Sequence, residues 1–341
     1  MLVMENDYSR GAHPSVLRRL AETNGESMPG YGTDPLCASA AARIRDLTGD
    51  PDDDVMFLVG GTQTNQTVLD VLTPPYAGVA AADCGHISTH EAGAIEATGR
   101  KVIALPAHGG RLDADDLDRL CSGLEGDPNG EHMVSPGSVY LSHPTEYGTL
   151  YTLRQLEAIS SVCRRHGIPL YVDGARLGYG LAAKGTDVTP RELDRLTDAF
   201  TIGGTKVGAL FGEAVVFPRH GAPAHLTTRV KRRGALLAKG WLLGLQFDTL
   251  LSDDLYMDIS RNADDRADEV RAALDERGYG IEHRSTTNQI FVSLDAGSRR
   301  RLERGVVLGF LGREPDGNSL MRICTSWATT PDDVRRLVEL L

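Results

Sequence analysis

The feature that most constrains this chain is a recurring pair, a short apolar run followed by a stretch with helical spacing. Val55-Met-Phe-Leu-Val59 is continuously apolar, as expected of a strand buried on both faces. Gly60-Gly61-Thr62 turns the chain into Gln63–Leu72, which has helical periodicity. The pair then recurs as Gly78–Ala82 with His90–Thr98, Lys101–Leu105 with Leu112–Leu124, and Ser138–Ser142 with Leu153–His166, before a further strand at Pro169–Val172. Parallel strands need crossovers, and helices supply them. The pattern therefore predicts an α/β fold with a mostly parallel sheet covered by helices on both faces. From Asp253 the rhythm changes. A charged helix over Asn262–Arg277 precedes strands at Ile290–Leu294 and Ser319–Thr325 and a terminal helix. The expected organisation is an N-terminal arm over 1–15, a large α/β domain over 16–252 and a smaller α+β domain over 253–341.

Size and charge narrow the function. The chain has 341 residues, enough for two domains. No apolar run approaches the roughly 20 residues that span a bilayer, so no membrane role is expected. The start, Met1-Leu-Val-Met-Glu-Asn-Asp7, lacks the basic lead and long apolar core of a signal peptide, so a cytoplasmic protein is expected. A net charge of −11 repels phosphate backbones and argues against nucleic acid as a partner. The five cysteines are scattered and odd in number, as free thiols in a reducing compartment would be.

Against that background one cation is prominent. Lys206 lies in the apolar, Gly-rich run Asp198-Ala-Phe-Thr-Ile-Gly-Gly-Thr-Lys206-Val-Gly-Ala-Leu-Phe-Gly212, followed by strand-like Ala214–Phe217. A lysine in such surroundings is costly to keep protonated, and a neutral amine can form a Schiff base with an aldehyde cofactor. Four other places carry chemistry. Gly60–Asn65 follows a buried strand and opens a helix, so its N–H groups either face an anion or close an ordinary turn with Thr62 as cap. Asp173 ends a buried strand, where open α/β sheets bind ligands; it could pair a pyridine nitrogen or simply cap a turn and pair with Arg176. His86 follows another strand, and an imidazole there could stack on a flat cofactor, move protons, or be only a satisfied polar residue. With His90 and Glu91 it matches no metal-binding spacing, and no metal is expected. Arg322 stands inside an apolar strand and must meet a carboxylate, from the protein or from a substrate.

Together these stretches resemble the threonine aldolase group of pyridoxal-phosphate enzymes, within the β-eliminating lyases and the aspartate aminotransferase-like fold type I. The matching segments run in order over nearly the whole chain: Gly30-Tyr-Gly-Thr-Asp-Pro35, Gly61–Asn65, His86 with Glu91-Ala-Gly93, Val172-Asp-Gly-Ala-Arg-Leu177, Phe200-Thr-Ile with Thr205-Lys206, Thr287-Asn288 with Phe291, and Met321-Arg322 with Thr325. The resemblance implies that Lys206 holds pyridoxal 5'-phosphate as a Schiff base and that Asp173 bonds the pyridine nitrogen. Gly61, Thr62 and Gln63 would hold the phosphate, Thr205 would adjoin the cofactor, and His86 would stack on its ring. Arg176 and Arg322 would bind the amino acid's carboxylate. The family works as homodimers or homotetramers with the site at the subunit interface. The basic cluster Lys231-Arg-Arg233, or Lys239, would then reach a neighbouring phosphate, unless it is a solvated helix face.

The chain departs from the family at the substrate end. Where the family begins Arg-Ser-Asp-Thr, this chain has Glu5-Asn6-Asp7-Tyr8-Ser9, so Asn6 or Ser9 would take the serine's place on the substrate carboxylate. A second family histidine falls near Pro144-Thr145-Glu146, with His143 out of register, and Ser326 stands where many relatives carry histidine. The implied reaction is cleavage of a small β-hydroxy-α-amino acid, of the L-threonine or L-allo-threonine type, to glycine and an aldehyde. The base is His86, His90 through water, or water itself. β-Elimination and racemisation fit the same residues, and a non-catalytic amino-acid-binding protein is the reading of another class.

Overall fold

The computed structural model describes all 341 residues. Seven strands form the main sheet: β1 (Asp54–Leu58), β2 (Gly78–Ala82), β3 (Lys101–Leu105), β4 (Pro136–Ser142), β5 (Leu170–Asp173), β6 (Ala199–Gly203) and β7 (Glu213–Phe217). They lie in the order β1-β7-β6-β5-β4-β2-β3. All neighbours are parallel except β7, which runs antiparallel to both β1 and β6. Its direction follows from its connection. Residues 204–212 are too few for a crossover helix, so the chain must fold straight back, and Lys206 rides on that return loop.

The inner strands are buried on both faces because their side chains alternate between two apolar clusters, whereas β1 and β3, at the edges, are only part-buried, which corrects the fully buried strand expected at Val55–Val59. Val139, Leu141, Val172, Ala214 and Val216 join one cluster, which packs against α1 (Pro14–Thr23), α2 (Pro35–Thr48), α4 (Leu153–Arg165) and α5 (Trp241–Leu250). Tyr140, Tyr171, Val215 and Phe217 point the other way, towards Val68 and Leu69 of α3 (Gly61–Leu72). The expected sheet with helices on both faces is thus the one observed.

A third cluster lies around a four-stranded antiparallel sheet made of β8 (Gly280–Glu282), β9 (Gln289–Leu294), β10 (Gly309–Arg313) and β11 (Ser319–Cys324). Leu2 and Met4 belong to it, and Leu2–Val3 pairs parallel to Val306–Val307. The stretch expected as an arm is therefore divided: its start packs with the C-terminal sheet, and its end opens α1. The 22-residue helix α6 (Leu255–Glu276) serves two cores, with Tyr256, Ile259 and Ala263 in the first and Ala267, Val270 and Leu274 in the third.

The helix expected over His90–Thr98 does not form. A single turn at His86–Thr89 stops where Ala92 and Gly93 take φ of 52° and 71°, and only Glu96–Thr98 coils again. A left-handed pair breaks any helix that crosses it.

Candidate active site

The C-terminal ends of the parallel strands meet in one cleft. Gly61, Asn65, His86, Ser142, Pro144, Thr145, Glu146, Asp173, Ala175, Arg176 and Lys206 line it. Ser142 ends β4, Asp173 ends β5, His86 follows β2, and Lys206 follows β6. The ends of β5 and β6 approach so closely that only glycine fits. A Cβ on Gly174 would stand 2.0 Å from the Thr201 carbonyl oxygen, and one on Gly203 would stand 2.3 Å from that of Ala175.

Asp173 is buried, and each of its oxygens is engaged. Oδ2 accepts from Asn65 Nδ2 and from Tyr140 Oη, both at 2.8 Å, and Oδ1 accepts from the Ala175 N–H at 2.8 Å. The turn-capping expectation is met by that last bond, whereas the expected pairing with Arg176 is not made. Asn65 also donates to Glu91 Oε1 at 2.7 Å and accepts from Tyr171 Oη at 2.7 Å. The same Glu91 oxygen lies 2.7 Å from His86 Nδ1, so the buried acid fixes how the imidazole faces the cleft.

Lys206 has its pKa lowered, first by burial and then by the Arg176 guanidinium. Its backbone carbonyl accepts from Tyr179 Oη at 2.6 Å, which holds the return loop against the sheet. Behind it Glu213 on β7 is fully enclosed, and burial pushes its carboxyl up to about 8.

Gly61, Thr62 and Gln63 form the first turn of α3. A Cβ built on Gly60 or Gly61 would meet no atom within 4 Å, so this backbone is open to an approaching group. The first N–H groups of a helix have no partner within it, which suits an anion. Gln63 turns inward, Oε1 accepting from the Val59 N–H at 3.4 Å, and Thr62 is exposed. Thr205 closes its own loop: its hydroxyl accepts from the Gly212 N–H at 3.0 Å.

The arginines divide. Arg176 gives Nε and Nη2 to the two oxygens of Asp7, at 2.7 and 3.0 Å, leaving Nη1 without a protein partner. Burial alone would raise the Asp7 pKa, but Arg176 and Lys206 outweigh it and hold the carboxyl at about 2. Arg322 on β11 meets no carboxylate. It bonds the Glu5 carbonyl at 2.8 Å and Gln289 Oε1 at 3.3 Å, both neutral. The domain-spanning salt bridge weighed from the sequence is therefore absent.

Three other expectations change. Asn6 and Ser9 bond each other at 2.8 Å outside the cleft, so Asp7, held on Arg176, is the arm residue tied to the site. His143 is fully buried, has partners for neither ring nitrogen, and is driven down to about 4 by burial. In the basic cluster Arg233 pairs with Asp70 at 2.8 Å, while Lys231 lies 4.6 Å over the Tyr31 ring.

Comparison with known proteins agrees with this geometry. The family model described as Beta-eliminating lyase matches residues 12–296. The low specificity L-threonine aldolase of Pseudomonas aeruginosa is 28% identical over 336 residues, covering 97% of this chain and 94% of that protein. The solved structure of a threonine aldolase from Leishmania major has a TM-score of 0.96 and 41% identity, covering 99% of this chain and 98% of that one. An aspartate aminotransferase from Thermus thermophilus shares the fold alone, with a TM-score of 0.72 and 16% identity over 100% of this chain and 90% of that one.

Proposed function

The chain belongs to the beta-eliminating lyase family, and from that premise we propose that it is a pyridoxal-phosphate-dependent aldolase. Its substrate is a small β-hydroxy-α-amino acid of the L-threonine or L-allo-threonine type, and its products are glycine and an aldehyde. Relatives named as threonine aldolases match nearly its whole length. The observation that carries the reading is one cleft that joins the Lys206 amine, the Asp173 carboxylate and the open N-terminus of α3.

The residues present fit the cofactor. Lys206 offers an amine that burial makes easier to deprotonate, as attack on an aldehyde requires. Asp173 offers an acceptor already oriented by Asn65 and Tyr140. Gly61, Thr62 and Gln63 would hold the phosphate at the helix N-terminus. His86, steadied by Glu91, would lie against the ring. When bound, the cofactor supplies an electron sink for the bond that breaks at the amino acid's Cα.

The chain's other groups orient and shield. The free Nη1 of Arg176, together with Arg322 from beyond the cleft's lining residues, would hold the substrate carboxylate and so set which Cα bond stands ready to break. Lys206 moves protons at the substrate's nitrogen and Cα. We also propose a homodimer or homotetramer with the site at the subunit interface. In support, the residues lining the cleft include no cation other than Lys206 and Arg176, so a second copy would complete the charge around the phosphate. The five unpaired thiols favour a reducing compartment such as the cytoplasm, and no helix is long and apolar enough to cross a membrane.

The test is direct. Protein supplied with pyridoxal phosphate should become yellow, and borohydride should fix the group on Lys206. L-Threonine or L-allo-threonine should give glycine and acetaldehyde, whereas β-elimination would give an oxoacid and ammonia. Colourless protein that takes up no cofactor sinks the reading.

A further inference from the structure

Glu146 lines the cleft beside His86, Asp173, Arg176 and Lys206. Its Oε1 accepts from the His86 backbone N–H at 2.7 Å and from Ser142 Oγ at 2.5 Å. No other residue donates to its Oε2, and no cation pairs with the carboxylate. Burial pushes its pKa above the ordinary glutamate range. A carboxyl with one oxygen anchored and the other free in a cleft is arranged for proton exchange.

Glu146, Ser142, Tyr140 and Asp173 form a chain with three links, at 2.5, 3.0 and 2.8 Å. The two hydroxyls bring two hydrogens. With both carboxylates ionised, each hydroxyl donates to its own carboxylate and the Tyr140–Ser142 contact has no hydrogen. A third proton, on Glu146 Oε1, supplies every link with one: Glu146 to Ser142, Ser142 to Tyr140, Tyr140 to Asp173. Oε1 can still accept from His86 in that state. The carboxyl can therefore hold one proton on Oε1 within this network, while Oε2 is the oxygen open to exchange with a substrate.

The histidines are placed for other work. His86 Nδ1 is tied to Glu91, His90 does not line the cleft, and His143 has no access to it. The loop bearing Glu146, in contrast, is clamped by the segment 283–287. Gly148 O accepts from Ser285 Oγ at 2.8 Å and Thr287 Oγ1 at 3.1 Å, and Tyr147 stacks on His283 with ring centroids 3.9 Å apart. Thr145 and Thr149 close the loop's base, their backbone bond measuring 2.9 Å. A proton-exchanging group needs such support to hold its geometry.

We propose that Glu146 is the group that takes the proton from the substrate's β-hydroxyl, a role that rests on the aldolase reading. The hydroxyl proton moves to Glu146, and the O–H electron pair becomes the carbonyl bond of the departing aldehyde. The Cα–Cβ pair stays with the glycine fragment, which is protonated at Cα later in the turnover. One proton leaves the hydroxyl and one arrives at Cα by way of Lys206, so the turnover is neutral overall, and Glu146 passes its proton to solvent as the aldehyde leaves.

The experiment uses the cofactor-loaded enzyme and three readouts: visible absorption on cofactor uptake, exchange of the glycine Cα proton with solvent, and retro-aldol cleavage of threonine against pH. Glu146→Gln should bind cofactor and exchange the glycine proton as wild type does. It should lose about 10²- to 10⁴-fold in threonine cleavage, together with the acid limb of kcat/KM. Ser142→Ala removes a bond that stabilises ionised Glu146, so its acid limb should move to higher pH. A Glu146→Gln enzyme within a few-fold of wild type, with the limb in place, overturns the proposal while leaving the aldolase intact. Loss of cofactor uptake in that variant also overturns it, since Glu146 would then be structural. A wild type that exchanges glycine but cleaves no β-hydroxy amino acid removes the aldolase reading itself.

Discussion

Asp7 receives Arg176 Nε and Nη2 on its two carboxylate oxygens, at 2.7 and 3.0 Å, and binds the chain's first residues to the segment that follows Asp173. Asn288 joins them, Nδ2 donating to Asp7 Oδ2 at 2.9 Å. The knot connects the start of the chain, the end of β5 and the segment before β9.

Because Asp7 sits at about 2 against an ordinary 3.8, the folded state favours its ionised form. Its contribution is complete above about pH 4 and is lost as pH falls through 2. It should amount to about 2 kcal/mol. Asp7→Asn leaves a buried guanidinium without its counter-charge, so denaturant melts at pH 7 should show a loss of about 3–5 kcal/mol, and the difference should shrink at pH 2.

Removing the Lys206 amine removes the proposed attachment point. Lys206→Ala should still fold with at most a modest loss of stability, because the amine helps to hold Asp7 ionised but is itself costly to bury. It should take up pyridoxal phosphate without a borohydride-stable bond and should not turn over threonine. Retained turnover would exclude the assigned role.

Arg322 is bonded to neutral acceptors only, so its charge is left for a ligand. Arg322→Lys keeps the charge and loses the planar fork. The expected result is a rise in KM for threonine and a fall of about 10²-fold in kcat/KM, equivalent to about 3 kcal/mol. Cofactor absorption should be unchanged, as titration would show.

Gly148 takes φ of +69°, and a Cβ there would stand 2.5 Å from Ser285 Oγ and 2.8 Å from Thr287 Oγ1. Gly148→Ala should cost about 1–3 kcal/mol from strain. It should also lower kcat more than it weakens cofactor binding, because the displaced loop carries Glu146. Kinetics alongside thermal melts separate the two effects.

Asp264 on α6 is buried with no partner for either oxygen, and burial raises it to about 9. The native form keeps a proton that the unfolded chain releases near pH 4, so wild-type stability falls as pH rises from there towards 9. Asp264→Asn should be close to neutral near pH 4 and more stable than wild type by several kcal/mol at pH 10. Urea melts at both values check the sign.

Gly78–Ala82 was legible because burial on both faces leaves an unbroken apolar run, and Lys101–Leu105 because a short apolar run persists even at the sheet's edge; the structure repeats both bounds. Helix α5 was not, since it is apolar almost all round and shows little periodicity. Lys206, Asp173 and His86 could be read because each stands at the end of a buried strand, where a polar residue needs a reason. Asp7 could not, because its partner is 169 positions away. Glu146 was hidden for a similar reason: its meaning comes from Ser142, His86 and the clamp at Ser285, and nothing in Pro144-Thr145-Glu146 announces it. Asn65 and Glu91 lay inside the segments that carried the resemblance. Their role emerges only when α3 brings Asn65 between Glu91 and Asp173.

Helix α6 has one end in each of two cores, and the C-terminal core also takes Leu2 and Met4. The seam near residue 253 is therefore no place to cut or recombine. A chimera that exchanges only residues 253–341 would pair the incoming counterpart of Val306–Val307 with a foreign Leu2–Val3 and would make the incoming counterparts of Tyr256, Ile259 and Ala263 refit the resident core. Such hybrids should be recovered in soluble form only when the first four residues travel with the C-terminal piece and the junction lies inside α6, between Ala263 and Ala267.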